Sequence, residues 1–164
     1  MIEEISIPVR RLPAHGDLPL PQYMTERAAG MDVYAAVDGE VEIPSGQRRM
    51  IPTGLAIALP EGYEAQIRPR SGIAIQSGVT LVNAPGTIDA DYRGEIGILM
   101  INHGENPYRV RRGDRIAQMV IQRVCRATWA ESGQLDETGR GAGGFGHTRG
   151  ARDLTERSGE DRVP

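Results

Sequence analysis

The sequence predicts an all-β protein, a jelly roll or a barrel, and three observations carry that expectation. Apolar runs are short and stop at turn residues about every eight to twelve positions, the spacing of strands in sandwiches and barrels. The 164 residues include 21 Gly and 11 Pro, so few segments can run long without a break. No strand-helix alternation occurs, which excludes a doubly wound nucleotide-binding sheet.

The elements follow in order. Ile2–Val9 alternates apolar and polar residues in part and is expected to open the fold as a strand. Arg11–Gln22 carries Pro13, Pro19 and Pro21, which remove backbone donors, so it reads as an extended connection. Ala28–Val37 is a Gly-containing bend entering a strand. Val41 and Ile43, followed by Pro44-Ser45-Gly46, make a short strand and turn. Met50–Leu59 alternates well and ends at Glu61-Gly62. Tyr63, Ala65 and Ile67 share one face of a strand that stops at Pro69. Ser71–Gln76 is the helix candidate, with Ser71 as N-cap; Gly72 and Gly78 keep it to a turn or two. Val79, Leu81 and Val82 precede a polar connection, and Ile96, Ile98, Leu99 and Ile101 follow it. That pattern is a hairpin. A turn centred near Ala90 would set position 83 opposite position 97. After a turn at His103–Pro107, Arg111-Arg112-Gly113-Asp114 leads into the apolar run Ile116–Val124.

From Glu131 onward apolar residues nearly vanish. The chain therefore divides into a folded body over 1–138, a Gly-rich lid over 139–150 and a charged tail over 151–164 with the composition of disorder. Net charge is −3, so no general attraction to nucleic acid or to anionic membrane is expected. All 19 basic residues are Arg, a side chain suited to bidentate phosphate binding. One cysteine, Cys125, excludes an intrachain disulfide and offers no metal-site spacing, which fits a reducing cytoplasm. No signal peptide or membrane-spanning run is visible.

Four stretches carry chemistry. The connection Asn83–Glu95 sets Asp89 and Asp91 two apart beside Tyr92, a carboxylate and a ring near exposed backbone amides. Such a set can hold a flat polar ring and activate a water; turns rich in Asp and Gly are also common for purely local reasons. Arg68-Pro-Arg-Ser-Gly72 places Arg70 and a hydroxyl at the start of a short helix, where free N–H groups favour an anion. Arg111–Gln118 adds more Arg and an amide, and Gly30-Met31-Asp32 places a carboxylate after a bend. Each has a plain structural alternative as cap, surface charge or turn. Together they describe a polyphosphate site, a planar-base site and a carboxylate. Gly139–Gly144 matches Gly-x-Gly-x-x-Gly, but no strand precedes it and no helix follows, so the dinucleotide reading fails. Phe145, the one Phe of the chain, lies in this segment. It fits either a lid that stacks on a planar ligand or an ordinary linker.

Ala29-Gly-Met-Asp32, Pro69-Arg-Ser-Gly72, Gly86-Thr-Ile-Asp-Ala-Asp-Tyr-Arg-Gly94, Gly113-Asp-Arg-Ile-Ala-Gln118 and Arg140-Gly-Ala-Gly-Gly-Phe-Gly146 resemble the five ordered motifs of the trimeric deoxyuridine triphosphatases (dUTPases). Any one is weak; five in order are specific. The resemblance implies a distorted jelly roll of the β-clip type, a homotrimer with active sites at subunit interfaces, and hydrolysis of dUTP to dUMP and pyrophosphate. Mg²⁺ would be held mainly by the triphosphate, with Asp32 touching it through water. Asp89 would be the base that activates water for attack on the α-phosphorus. Asn83, Thr87, Ile88 and the backbone near Gly97 would contact the nucleoside, with Tyr92 against the deoxyribose. Arg70, Ser71, Gly72 and Gln118 would hold phosphates. Arg140, Phe145 and Thr148 would close over the γ-phosphate and the base. One departure stands out: where the family continues Gly-Phe-Gly with Ser-Thr-Gly, this chain reads His147-Thr148-Arg149-Gly150. The rival enzyme of the same fold, dCTP deaminase, would need a catalytic Glu and a different Ser-Arg segment. A module that binds dUTP without turning it over would lack Asp89, which is present.

Overall fold

A computed structural model of the chain describes residues 4–14 and 16–144. Two compact units divide it, Met1–Arg126 and Ala127–Pro164. The first is built of β-strands with one short helix, folded as a distorted jelly roll.

Among the described residues the first strand is later than the alternation of Ile2–Val9 suggests. Strand β1 is Val9–Arg11 and pairs antiparallel with β6 (Leu55–Ile57). Pro8 has no N–H to give a ladder, and only its carbonyl is used, by Ala58 N–H at 2.9 Å. Strands β2 (Gln22–Tyr23) and β3 (Met31–Tyr34) follow, then β4 (Val41–Ile43), which pairs with β11 (Tyr108–Val110). The alternating run Met50–Leu59 is two strands, not one. Gly54 takes φ 64°, a left-handed conformation open to glycine, and sends the chain from β5 (Arg48–Pro52) into β6 in a different sheet.

Strand β7 (Tyr63–Arg68) ends before Pro69, as the sequence indicates, and helix α1 spans Ser71–Ser77. Its N-cap is Arg70 rather than Ser71. Arg70 has extended backbone (φ −94°, ψ 125°), and no side chain caps the helix. Ser71 is thus the first helical residue. Gly78 ends α1 in the left-handed conformation expected of a C-terminal glycine.

Strands β8 (Val79–Leu81) and β10 (Gly97–Asn102) form the expected hairpin stem, with Leu81 opposite Met100. That register sets Asn83 toward Ile98 rather than Gly97, one residue from the symmetric expectation. The intervening chain does not fold back on itself. Residues Gly86–Ile88 form β9, which pairs instead with β7, and Pro85 cannot continue the stem ladder because it has no N–H. Strand β12 (Arg115–Arg123) is central in the five-stranded sheet β2-β3-β12-β7-β9, while β5-β10-β8 form a second sheet.

The core lies where these sheets converge on Val33, Ile43, Ile51, Ala65, Ile98, Val110 and Ile116. One buried polar side chain organises its edge. Asn102 donates through Nδ2 to the carbonyls of Ile43 (2.9 Å) and Asn106 (2.8 Å), and its Oδ1 accepts from Gly104 N–H at 2.8 Å. Gly104 in turn lies against the end of α1. A Cβ on Gly78 would come 2.7 Å from Gly104 N, and a Cβ on Gly104 would drive into the Ser77 carbonyl. Neither obstacle is a flexible side chain. Gly104→Ala is expected to cost about 1–3 kcal/mol of stability by overpacking, read as a lowered urea midpoint at unchanged slope.

The second unit is described to Gly144 and contains neither helix nor strand among the described residues. Trp129 and Leu135 are almost fully exposed in it.

Candidate active site

Asp32 is the most deeply buried charge among the described residues, at 1% exposure. It lies in a polar row across four strands, because Gln22 pairs with Asp32, Asp32 with Gln118 and Gln118 with Arg68. An isolated buried carboxylate is costly, so its partners decide whether the row is stable. Oδ2 accepts from Arg70 Nη2 at 3.3 Å and from Arg115 Nη1 at 3.1 Å, and Oδ1 accepts from Gln118 Nε2 at 3.1 Å. Arg70 Nη1 also donates to the Arg115 carbonyl at 3.0 Å. Gly30 makes room beside this set: a Cβ there would press to 3.4 Å on Gln118 Cβ. Ser71 and Gly72 open α1 next to Arg70. The first intrahelical bond is Ala74 N–H to the Arg70 carbonyl, so their N–H groups lie outside the helix ladder.

The second group occupies the excursion between β8 and β10. Thr87 pairs with Gln66 and Ile88 with Ala65, which fixes the exit of β9. Asp89 follows immediately and is exposed, its carbonyl accepting Tyr92 N–H at 3.1 Å in a tight turn. The Tyr92 hydroxyl donates to the Glu95 carbonyl at 2.8 Å and so folds the ring over Gly94. A Cβ on Gly94 would meet the ring at 2.6 Å from Cζ. Asn83 sits on Gly86, its Nδ2 3.1 Å from where a Cβ would be. Gly97 opposes Pro52 beside Met50.

Residues outside the expected set anchor this excursion. Glu95 Oε1 accepts Gly54 N–H at 2.8 Å, and buried Thr53 Oγ1 donates to the Ile96 carbonyl at 2.6 Å. Glu95 borders a recognisable motif, but Thr53 sits at a turn between two strands and carries no sequence signal. Arg115 belongs to the Arg-rich stretch Arg111–Gln118, but nothing in that stretch alone marks it as a partner of Asp32.

The two groups do not meet within one chain. Asp32 is on β3 and Asp89 follows β9, three strand spacings away in the same sheet. Along the strands, the register places Asp32 level with Arg68 and Asp89 beyond Ala65. At about 4.8 Å per strand and 3.3 Å per residue, the carboxylates are roughly 19 Å apart in the sheet. Arg140 belongs to the second unit, where its Nε donates to the Gly143 carbonyl at 2.9 Å. Phe145, His147, Thr148 and Arg149 lie outside the described residues. An open apolar groove of about 1040 Å³, lined by Ile5, Ile7, Tyr23, Met31 and Ile121 among others, includes neither group. No cluster of three or more His, Cys, Asp or Glu residues suited to a metal occurs among the described residues.

The profile of the dUTPase family matches residues 17–149, a span that contains both groups and the Gly-rich segment. The chain belongs to the dUTPase family. It is 58% identical over 147 residues to the deoxyuridine 5'-triphosphate nucleotidohydrolase of Syntrophotalea carbinolica, covering 90% of this chain and 99% of that one. Among solved structures it resembles a mutant dUTPase of Staphylococcus bacteriophage 80alpha with dUpNHpp. The TM-score is 0.77 at 24% identity, over 87% of this chain and 97% of that chain. It also resembles a mutant dUTPase of S. aureus phage phi11, with a TM-score of 0.71 at 22% identity over 81% of this chain and all of that one. The last two likenesses establish the dUTPase fold for the strands described above.

Proposed function

We propose that the protein hydrolyses dUTP to dUMP and pyrophosphate in active sites shared between the subunits of a homotrimer. The observation that carries this reading is the division of the motif residues into two groups roughly 19 Å apart in one sheet, farther than one triphosphate reaches. A single chain offers half a site at each place. A second copy joins the Asp89 half of one chain to the Arg70 half of another. A ring of three such head-to-tail contacts closes. Met50 and Val82, exposed at 73% and 46%, lie on and beside the β5-β10-β8 sheet, where such a contact can cover them.

In the joined site Asn83, Thr87, Ile88 and the backbone at Gly97 bind the nucleoside, and Tyr92 lies against the deoxyribose. Asp89 takes a proton from water as the water oxygen attacks the α-phosphorus in line. The bond from that phosphorus to the bridging oxygen breaks, and pyrophosphate leaves. Asp89 is exposed at the end of β9, where its carboxylate oxygens are placed to accept that proton. Arg70, Gln118 and the N–H groups of Ser71 and Gly72 stabilise charge on the phosphate oxygens. Mg²⁺ would be held mainly by the triphosphate oxygens and would neutralise charge developing there. It prefers phosphate oxygens and water, and the described residues offer no cage for it. The dUTPase of phage phi11 is described with a structural Mg(II) ion. The lone exposed Cys125 suits a cytoplasmic setting.

Pyrophosphate release with dUTP, dCTP, dTTP and UTP side by side tests the reading. Release is expected to be fast with dUTP alone, because a pocket that hydrogen-bonds uracil leaves polar groups unpaired against cytosine. Ammonia release from dCTP, or tight dUTP binding without turnover, would replace it with the deaminase or the binding module. The Gly-rich segment supplies Arg140, Phe145 and Thr148 as a lid. Ending the chain before Gly139 should leave an assembled body of near-normal melting temperature with turnover lowered by at least about a decade. Ending it before Ala151 should change little.

A further inference from the structure

Tyr92 is 42% exposed, so packing does little to hold its ring. Two features set its place. Gly94 supplies a bare floor, since a Cβ there would come 2.6 Å from Cζ, and the hydroxyl donates to the Glu95 carbonyl at 2.8 Å. The ring is therefore only as firm as the backbone of Glu95. That backbone belongs to an exposed connection, residues 91–95, a kind of segment that keeps its place only where something ties it down.

The tie is the corner between β5 and β6. Glu95 Oε1 accepts the N–H of buried Gly54 at 2.8 Å, and a buried N–H left without an acceptor is costly. Ile96, the next residue, is held on both sides. Its N–H donates to the Leu55 carbonyl at 2.8 Å, and its carbonyl accepts from Thr53 Oγ1 at 2.6 Å. Thr53 and Ile96 are shut off from solvent, so water does not compete for these bonds. The corner itself is fixed from a third strand, because the Gly54 carbonyl accepts Leu12 N–H, next to β1, at 2.8 Å. Glu95 bridges the two parts, its side chain on the corner and its carbonyl on Tyr92.

A ring against the deoxyribose rejects a ribonucleotide by leaving no room for a 2′-hydroxyl. Crowding of that kind lasts only while the wall stands still, and a wall that yields by about 1 Å loses most of it. We propose that Glu95 is a positioning residue for sugar selection: fixed to the Gly54 corner and holding the Tyr92 hydroxyl, it sets how strictly the site rejects UTP. This rests on the nucleoside reading given above, with Tyr92 against the deoxyribose, and deepens it.

The test is kcat/KM for dUTP and for UTP, both measured on one preparation of each full-length variant. Their ratio is independent of the folded fraction, so a loss of stability alone leaves it unchanged. Glu95→Ala removes the acceptor of Gly54, and the dUTP:UTP ratio should fall about tenfold. Glu95→Gln keeps an oxygen in that place and should hold the ratio within about twofold of the parent. Gly94→Ala pushes the ring off its floor while Glu95 keeps Gly54. It should lower the ratio by a similar factor, and it decides the matter by itself if Glu95→Ala fails to fold. Equal losses for both substrates in Glu95→Ala would make Glu95 a structural anchor only and overturn the proposal. An unchanged ratio in Gly94→Ala, or a ratio lost as far in Glu95→Gln as in Glu95→Ala, would overturn it as well. Tyr92→Ala separates the proposal from the reading beneath it. If that variant keeps the parent ratio, the nucleoside reading falls; if it lowers the ratio and Glu95→Ala does not, the proposal falls alone.

Discussion

Asp89→Asn is expected to lower dUTP turnover by roughly two to four decades, the range for loss of a positioned general base. The substitution keeps the size and the hydrogen-bonding shape of the side chain and removes its ability to take a proton. Its structural cost should be small. Asp89 is exposed, and the turn it begins is made by its backbone carbonyl, not its carboxylate. The anchors of the excursion, Glu95 to Gly54 and Thr53 to Ile96, are untouched. Binding of a dUTP analogue should therefore stay within a few-fold of the parent, with the loss confined to kcat. Isothermal titration and single-turnover hydrolysis separate the two. A variant that turned over dUTP at a near-parental rate would remove Asp89 from the base role.

Much of this fold was legible because its elements are local. Gly54, Gly78 and Pro69 end or redirect strands and the helix for reasons written in single residues, and the alternation of Tyr63, Ala65 and Ile67 gives β7 directly. The errors arose where partners are distant in sequence. The extended stretch before Val9 alternates as a strand does, yet a strand exists only where another accepts it, and β6 begins its pairing at Ile57. Residues 83–96 read as a plain hairpin because both flanks are apolar. That β9 leaves the stem for β7 depends on the edge β7 offers, which no local pattern records. The same holds at the site. Asp32, Arg70 and Gln118 were legible as chemistry. Their convergence on one buried carboxylate, with Arg115 added by a bulge, required the register of β3 against β12.

Mixing two impaired chains is expected to restore activity that neither has alone. An Asp89→Asn chain keeps the Asp32, Arg70 and Gln118 cluster intact. An Arg70→Ala chain keeps Asn83, Asp89 and Tyr92 intact. Each assembled alone should be slow, the first by the loss of its base and the second by at least about a decade from the loss of a charge-assisted phosphate contact. If each site takes its hairpin from one chain and its phosphate cluster from another, random co-assembly at equal amounts makes about a quarter of the sites whole. Hydrolysis by the co-expressed mixture should then rise to about that fraction of the parent rate, more than a decade above Asp89→Asn and about twofold or more above Arg70→Ala. The control is one chain carrying both substitutions, co-expressed with the Asp89→Asn chain: no site then regains its base, and no recovery is expected. The estimate depends on the strand order β3-β12-β7-β9, which separates Asp32 from Asp89 whatever the loops do. Recovery at the level of the control would mean that both groups reach one substrate from the same chain. The excursion between β8 and β10 would then have to swing across β7 and β12 to do so, breaking the pairing of Thr87 with Gln66 and of Ile88 with Ala65.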